Sequence, residues 1–428
     1  MKLELGKIQI NDVKFGSTTE VNSGLLTVNK DKLVEEIIDD NQIKSLDVEL
    51  AKPGDSIRII PVKDVVEPRV KVEGAGGIFP GIIAEEDMVG SGRTHALKGV
   101  GVVTTGKIVG FQEGIIDMSG PGAEYTPFSK LNNIVITCEV ASDIEQHEHE
   151  EIVRMTGLKA ANYIGKVAQD LEPDEIEEFE SKPIPEAVAE YPDLPKVGYI
   201  YMLQTQGLLH DTYVYGVDAK EILPTLVSPT EVMDGAIISG NCVSACDKNV
   251  TYVHQNNPII EDLYKHHGTE YNFLGAIITN ENVTLSDKKR SSNYTAKLAE
   301  QLGLDAAIIS QEGFGNPDAD LIMNCVKLEE KGIKTVLTTD EYAGRDGASQ
   351  SLADADPKAD AVVTAGNANE TVTLPAMERI IGHQKVADVI AGGFDGSLHQ
   401  DGSITVELQA ITGATNELGF GNLTAREY

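Results

Sequence analysis

The residues whose types and spacing are best suited to chemistry lie at mid-chain, in Ile237-Ile238-Ser239-Gly240-Asn241-Cys242-Val243-Ser244-Ala245-Cys246-Asp247-Lys248-Asn249. Two of the chain's four cysteines, Cys242 and Cys246, stand there in a Cys-x-x-x-Cys spacing, after an apolar run and a flexible Gly-Asn pair. A Cys242 thiolate is placed to attack the carbonyl of Asn241 and exchange the peptide bond for a thioester, a step that thiolate character controls. Gly240 lets the backbone take up the strained turn that brings sulfur over carbonyl. Loss of the Cys242 Cα proton then expels the sulfur and leaves a dehydroalanine, which tautomerises to an imine and hydrolyses to a ketone. The chain is cut between 241 and 242, and the second fragment begins with a pyruvoyl group. Ser244 supports the same acyl shift through an ester, and Cys246 offers a second thiol nearby.

The residues alone leave three readings open. Cysteine is among the most buried residue types, so this spacing after Ile237-Ile238 also fits a helix packed in a core. It fits metal or redox use as well, and chain processing is the third reading. His254, His266 and His267 follow between Thr251 and Gly268, and each is a candidate to move the Cα proton. Cys138 and Cys325 fall in a predicted strand and a predicted helix and are expected to pack. The stretch His147-Glu148-His149-Glu150 invites a metal reading. Its histidines are two apart, however, which on a helix turns them about 200° from one another, whereas helical metal pairs sit four apart. A solvated helix face, and no metal, is the expectation. For a substrate carboxylate the natural partner is an arginine, and Arg58, Arg69, Arg93, Arg154, Arg290, Arg345, Arg379 and Arg426 are all available.

The elements that must position this segment change character along the chain. Residues 1–140 read as strands, with β-branched runs at Ser56 to Val62, Arg69 to Glu73 and Asn133 to Thr137, and predict a β-rich domain. Gly74-Ala75-Gly76-Gly77 and Gly90-Ser91-Gly92-Arg93 lack a P-loop lysine followed by Ser or Thr and are predicted as turns. Residues 141–195 comprise an acidic amphipathic helix within Ser142 to Asp170 and then a Pro/Glu-rich connection, in which Pro173, Pro183, Pro185, Pro192 and Pro195 exclude long regular structure. Residues 196–270 hold the strands that carry the processing segment: Lys196 to Met202, Asp211 to Gly216 and Asp234 to Ser239. Residues 271–428 alternate strands at 274–279, 305–310, 334–339 and 359–364 with helices at 292–302 and 318–330. The fold expected is α/β, a β-rich N-terminal domain followed by a Rossmann-like parallel α/β C-terminal domain. Gly313-Phe314-Gly315-Asn316-Pro317-Asp318 lacks the third glycine of a dinucleotide turn. It is predicted to close onto a helix capped by Asn316 or Asp318, with no nucleotide bound. In such folds ligands gather at the carboxyl ends of strands, so this loop, Thr338 to Gly344 and Gly366 to Glu370 are candidates to line a pocket.

The balance of 35 basic against 68 acidic residues, a formal charge of −33, argues against nucleic acid and anionic membrane surfaces as partners. No stretch approaches the roughly 18 apolar residues of a membrane span, and the opening Met1 to Ile10 alternates like a strand rather than a signal peptide. Four cysteines in 428 residues point to a reducing interior, so a cytoplasmic protein is expected.

Gly240 to Asp247, the opening Met1-Lys2-Leu3-Glu4-Leu5-Gly6 and the late Thr364-Ala365-Gly366-Asn367-Ala368-Asn369-Glu370 together resemble the proprotein of glycine reductase component B. The likeness runs over the whole chain, with sarcosine and betaine reductase subunits related and proline reductase more distant. It implies a precursor that splits between Asn241 and Cys242 into a β chain, 1–241, and an α chain, 242–428, whose pyruvoyl group derives from Cys242. It further implies that the amine of glycine forms a Schiff base with that group, activating the Cα–N bond for attack by a partner's selenol. Ammonia leaves, and further components yield acetyl phosphate. The partners implied are the selenoprotein subunit of component B, the small selenoprotein A, component C and, indirectly, a thioredoxin system, so a hetero-oligomer is expected. Three alternatives stand beside this: sarcosine or betaine as substrate, a pyruvoyl-dependent amino-acid decarboxylase, and an uncleaved, non-catalytic binding or scaffold subunit.

Overall fold

The computed structural model describes residues 1–38, 42–110, 113–206, 212–240, 249–415 and 418. Its first strand, β1 (Lys2–Gln9), is buried on both faces, Leu3 and Leu5 packing in one core cluster and Ile8, from the other face, in a second. After it come β2 (Ile57–Val62), β3 (Asp64–Val66), a strand at Arg69–Glu73, β4 (Gly92–Lys98), β5 (Val100–Gly106) and β6 (Asn132–Val140). In one sheet β1 runs parallel to β4; in a second, β5 lies between β3 and β6. The helix α1 (Gln146–Gly165) packs on these strands through Ile152, Val153, Leu158 and Ile164. The solvated face expected over His147 to Glu150 holds only for His147 and Glu148; His149 and Glu150 are buried, Glu150 against Arg154, because the two histidines point to different sides of the helix.

The Pro/Glu-rich stretch holds more order than its prolines suggest. Between Pro173 and Pro183 the strand β7 (Glu175–Glu180) pairs antiparallel with β1, and Phe179 drops into the core between exposed glutamates. A proline-free interval with one aromatic to bury is sufficient for an edge strand.

The second half is built on β8 (Lys196–Leu203), followed by β9 (Ile237–Ser239), α2 (Thr251–Gln255), α3 (Pro258–His266), β10 (Asn272–Asn280), α4 (Leu285–Leu302), β11 (Ala306–Ser310), α5 (Asn316–Glu329), β12 (Lys334–Glu341) and β13 (Val362–Asn367). The strands β10, β8, β11, β12 and β13 lie side by side in that order, all parallel, with the short strand Thr225–Val227 antiparallel at one edge. Numbered along the chain, their order is second, first, third, fourth, fifth, so the direction of winding reverses between β8 and β11. Both faces of β8 are covered. Ile200 and Met202 pack toward α4 and α5 with Ala296, Ala299 and Leu321, while Tyr199, Tyr201 and Leu203 meet Val253, Ile260 and Leu263 of α2 and α3. That double burial is why the strand reads as a continuous apolar run.

Several boundaries differ from expectation. The helix α4 begins at Leu285, ahead of the predicted start at 292, because the Thr284 side chain accepts the Asp287 N–H and starts it. At α5 neither Asn316 nor Asp318 is the cap. Gly315, with φ +78°, holds that position, and the Asp318 carboxylate instead accepts Gln311 Nε2 and the Ala353 N–H at 2.7 and 2.6 Å. Cys138 and Cys325 are fully buried, as expected of packing residues. Finally β14 (Arg379–Gly382) leaves the large sheet and pairs in parallel with β2, so the end of the chain re-enters its first half.

Candidate active site

Gly240 is buried at the end of β9; Asn241, Cys242, Ser244 and Cys246 lie outside the described residues. What the structure gives is the setting of the two flanks. On the leading side, the Ser239 N–H donates to Thr251 Oγ1 at 3.0 Å. Thr251 donates in turn to Asp64 Oδ2 at 2.6 Å, and its backbone N–H to Asp64 Oδ1 at 2.8 Å. The turn just before β9 is held by Asp234, whose carboxylate accepts the Gly90 N–H at 2.7 Å, Thr94 Oγ1 at 2.5 Å and the Lys71 ammonium. Of the turn predicted over Gly90 to Arg93 only Gly90 and Ser91 bend the chain, whereas Gly92 and Arg93 already begin β4; the φ of +89° at Gly90 and the approach of Glu231 leave no room for a Cβ there.

On the trailing side, Asn249 gives both its backbone N–H and its side-chain Nδ2 to Glu312 Oε1, at 2.9 and 3.0 Å. The other oxygen of Glu312 accepts the Gln204 N–H at 2.6 Å, and the Glu312 N–H donates to Glu281 Oε1 at 2.9 Å. Gln204, Glu281 and Glu312 directly follow or nearly follow β8, β10 and β11. The trailing flank is therefore tied to the carboxyl ends of the parallel strands, at the point where their winding reverses, which is where this architecture collects ligands.

Of the three candidate histidines only His254 is brought to this place. It is fully buried on α2, with Nδ1 2.7 Å from the Tyr201 hydroxyl and Nε2 3.7 Å from Glu312 Oε1. Tyr201 stacks on Tyr199, ring centroids 5.1 Å apart, and Tyr199 bonds to Ser310 Oγ at 2.6 Å. His266 instead pairs with Glu270, and His267 accepts the Phe273 N–H at the opposite, amino end of β10. The length of that strand sets the two ends about 25 Å apart.

Behind His254, Gln255 and Asn256 are locked to the first half of the chain. Gln255 exchanges hydrogen bonds with the backbone of Glu67 at 2.9 and 3.1 Å, and Asn256 reaches the Glu67 carboxylate at 3.1 Å. Burial pushes the Glu67 carboxyl up, but Lys98 and Arg69 more than offset this and hold it at about 2. Burial pulls the Lys98 ammonium down, yet it sits 2.7 Å from Glu67, and we take the pair as ionised near neutral pH.

The loops expected to line a pocket do converge. Phe314 stacks on Tyr342 with centroids 3.6 Å apart, Asn367 accepts the Ala343 N–H, and Asn369 accepts the Gly344 N–H while donating to Glu407. The late Thr364 to Glu370 stretch thus braces the loop after β12. Each described arginine already has a carboxylate partner: Arg58 with Asp117, Arg69 with Glu67, Arg93 with Glu4, Arg154 with Glu150, Arg290 with Asp287, Arg345 with Glu407 and Arg379 with Glu49. Arg345 stands on that braced loop, its guanidinium also over the Phe394 ring. Arg426 lies outside the described residues. Among the described residues no group of three His, Cys, Asp or Glu side chains could hold a metal ion, and no helix is long and apolar enough to cross a membrane. Sequence reasoning had not singled out Asp64, Tyr201, Glu281 or Glu312. The position of Glu281 and Glu312 just past predicted parallel strands was the available signal.

Comparison with known proteins gives a consistent picture. The family model described as glycine/sarcosine/betaine reductase component B subunits matches residues 1–426. The chain is 67% identical to the glycine reductase complex component B subunits alpha and beta of Acetoanaerobium sticklandii, with all of both chains covered. To the protein of the same description in Peptoclostridium acidaminophilum it is 66% identical, and to the sarcosine reductase complex component B subunit alpha of that organism 56%, again over the full length of each. No solved structure matches.

Proposed function

Because the chain belongs to the glycine/sarcosine/betaine reductase component B subunits, we propose that it is the proprotein of the substrate-binding subunits of a glycine reductase, cut between Asn241 and Cys242. Glycine is favoured over sarcosine by the higher identity to the glycine relatives, 67% against 56%. Relatives of the same full length carry the description "subunits alpha and beta", which supports one chain giving rise to two. The observation that carries the reading is that the flanks of the processing segment are pinned independently, Ser239 through Thr251 to Asp64 and Asn249 to Glu312. A break between them leaves both new ends held.

The setting suits a pyruvoyl group derived from Cys242. A buried hydroxyl, an imidazole and carboxylates lie at the carboxyl ends of the strands, giving groups able to move protons. When formed, the group supplies a ketone that takes up the substrate's primary amine and withdraws electrons from its Cα–N bond. The chain's own contribution is to hold the segment: Gly240 at the end of β9, Asp64 and Thr251 fixing the leading flank, Glu312 the trailing one. Ser244 and Cys246 are proposed as supporting residues of processing.

The partners proposed are those that follow from the family reading: a selenoprotein subunit of component B, the small selenoprotein A that supplies the attacking selenol, component C, and a thioredoxin system at one remove. The location proposed is cytoplasmic. We read the domains as a β-rich unit, 1–140, the 141–195 connection, the 196–270 strands that carry the segment, and a Rossmann-like unit that, beyond the 271 start expected from sequence, takes its central strand β8 from the 196–270 stretch. The pairing of β14 with β2 makes the last unit lend a strand to the first.

The test is intact mass spectrometry of the purified protein, with and without glycine and a carbonyl-trapping reductant. Expected are a chain ending at Asn241 and a blocked chain from residue 242 that gains glycine on reduction, and a Cys242→Ala protein that stays whole. Efficient cleavage of that variant would sink the assignment.

A further inference from the structure

We propose that a cavity at the amino ends of the parallel strands binds a small alkylammonium ion, its head against Glu261 and its tail along an aromatic wall. The cavity, of about 290 Å³, lies between β7, α3, the short helix Ile184–Glu190 and the start of β10. Small-molecule sites run from about 300 to 1,000 Å³, so an occupant here is at the small end. This is the opposite end of the sheet from Glu281 and Glu312, and the cavity is separate from the site above.

Its walls favour a cation. Tyr264 meets Phe179 at 5.2 Å between ring centroids and Phe273 at 5.4 Å, which makes a corner of angled rings. Tyr191 and His267 meet edge to face at 5.3 Å. His267 is uncharged: the Phe273 backbone N–H, which can only donate, reaches its Nδ1 at 3.0 Å, so that nitrogen keeps its lone pair and the ring proton sits on Nε2. Burial likewise pulls the imidazole below its ordinary titration range. Electron-rich rings without a charge of their own attract an ammonium.

The charges select where the head sits. The two lysines at the cavity are already matched, Lys182 to Glu190 at 2.7 Å and Lys265 to Asp262 at 3.7 Å, and Glu177 is paired with Lys7 at 2.8 Å. Glu261 is different. It is half-buried, and among the described residues its carboxylate has neither a hydrogen bond nor an ion pair. Burial, the chief influence, pushes its carboxyl up; Lys98 opposes this, and the neighbouring Glu177 adds to the rise. A carboxylate beside a second carboxylate lacks a counter-ion, and Tyr264, three residues on in α3, brings its ring to the same helix face. No three carboxylates among the described residues are grouped to hold a metal ion, and Ala187 and Leu274 make part of the wall apolar, so an organic cation with an alkyl tail fits better than a bare ion. Phe179 and Tyr191 come from the first half of the chain and Glu261, Tyr264 and Phe273 from the second. An occupant therefore bridges the halves and stabilises the fold by mass action.

The test is titration calorimetry of the full-chain protein with N,N-dimethylbutylammonium chloride, with sodium butyrate and sodium chloride as controls, and urea unfolding at each concentration. A tertiary amine cannot condense with a ketone, so the result is independent of the proposed pyruvoyl group. Expected are saturable one-to-one binding with a Kd of about 1 mM or tighter, a urea midpoint that rises with the amine, and no saturation with butyrate. Glu261→Gln removes a carboxylate with no partner and is expected to fold as wild type does and to bind about ten-fold more weakly or worse. Tyr264→Leu, which removes the ring and its hydroxyl bond to Ser181, is expected to weaken binding about three-fold or more. An absence of saturable binding, an equal response to butyrate, or unchanged affinity in Glu261→Gln would overturn the proposal. Should that variant fail to fold, the wild-type comparison with butyrate decides it.

Discussion

Severing the chain between 241 and 242 in the unfolded state, rather than after folding, is expected to yield two polypeptides that cannot fold apart. The central strand β8 belongs to the first segment, whereas its neighbours β10 and β11 belong to the second. Tyr199, Ile200, Tyr201, Met202 and Leu203 are each fully buried there. At about 1.5–3 kcal/mol for a fully buried large side chain, their removal costs the second segment roughly 7–15 kcal/mol as an upper estimate. That equals the whole stability of an ordinary domain, about 5–15 kcal/mol. The first segment in turn loses β14 from beside β2, and the bonds from Asp64 and Glu67 to Thr251, Gln255 and Asn256. The assay is to express 242–428 alone and record its urea transition by circular dichroism, then add 1–241. No cooperative transition is expected from the isolated piece, and one is expected from the refolded mixture. A cooperative transition in 242–428 by itself would refute the reasoning, as would separation of the two chains of processed protein on simple dilution.

Other outcomes follow from the anchoring network. Glu67→Gln leaves the buried Arg69 and the half-buried Lys98 against a neutral amide and is expected to cost about 3–5 kcal/mol in urea unfolding; a loss below about 1 kcal/mol would contradict the pairing. The same carboxyl, held at about 2 against an ordinary 4.5, contributes stability that is complete above its unfolded range and is lost as pH falls from about 4.5 toward 2. That acid limb is expected to amount to about 3 kcal/mol and to be missing from Glu67→Gln. Thr251→Val strands the Ser239 N–H and the Asp64 carboxylate without their shared hydroxyl. It is expected to destabilise by about 2 kcal/mol and to slow processing in a mass-resolved time course; unchanged processing would remove Thr251 from the site.

The parallel half was legible because burial on both faces writes itself as unbroken apolar runs: 274–279 and 305–310 are strands within a residue or two of their predicted ends. Its helices were legible in place but not in extent, since the start of α4 depends on one threonine cap. The return of β14 to β2 was not legible at all. Arg379–Gly382 is four residues long, and nothing local in so short a strand names a partner more than 300 residues away. The site divided in the same way. The cysteines of the segment lie outside the described residues, and separating His254 from His266 and His267 required knowing which end of β10 each one meets. Asp64 and Tyr201 are polar groups inside or at the edge of strands, where a sequence offers no distinction between a structural and a functional hydroxyl or carboxylate.

On the proposed cut between 241 and 242, the place of that segment in this interlaced sheet has a consequence of its own. A cut after β9 and before α2 removes no strand from any sheet, because the connection it opens runs between elements that are each fastened to something else. The turn before β9 is held through Asp234 to Gly90 and Thr94, and α2 through Thr251, Gln255 and Asn256 to Asp64 and Glu67. Asn249 then limits the new chain end to the seven residues that precede it, since Glu312 fixes Asn249 at the switch in strand winding. A cut between elements without such anchors would free an end to wander. Here the covalent link is expendable because its geometric work is duplicated by buried hydrogen bonds, each worth about 1 kcal/mol or more when its loss leaves a buried group unpaired. Replacing Asn249 by alanine keeps the backbone bond to Glu312 and removes the side-chain one, so it is expected to leave cleavage intact while loosening the new end. The readout is glycine trapping on the processed protein at limiting substrate, and trapping indistinguishable from wild type would show that the side-chain bond to Glu312 does not hold the reactive end in place.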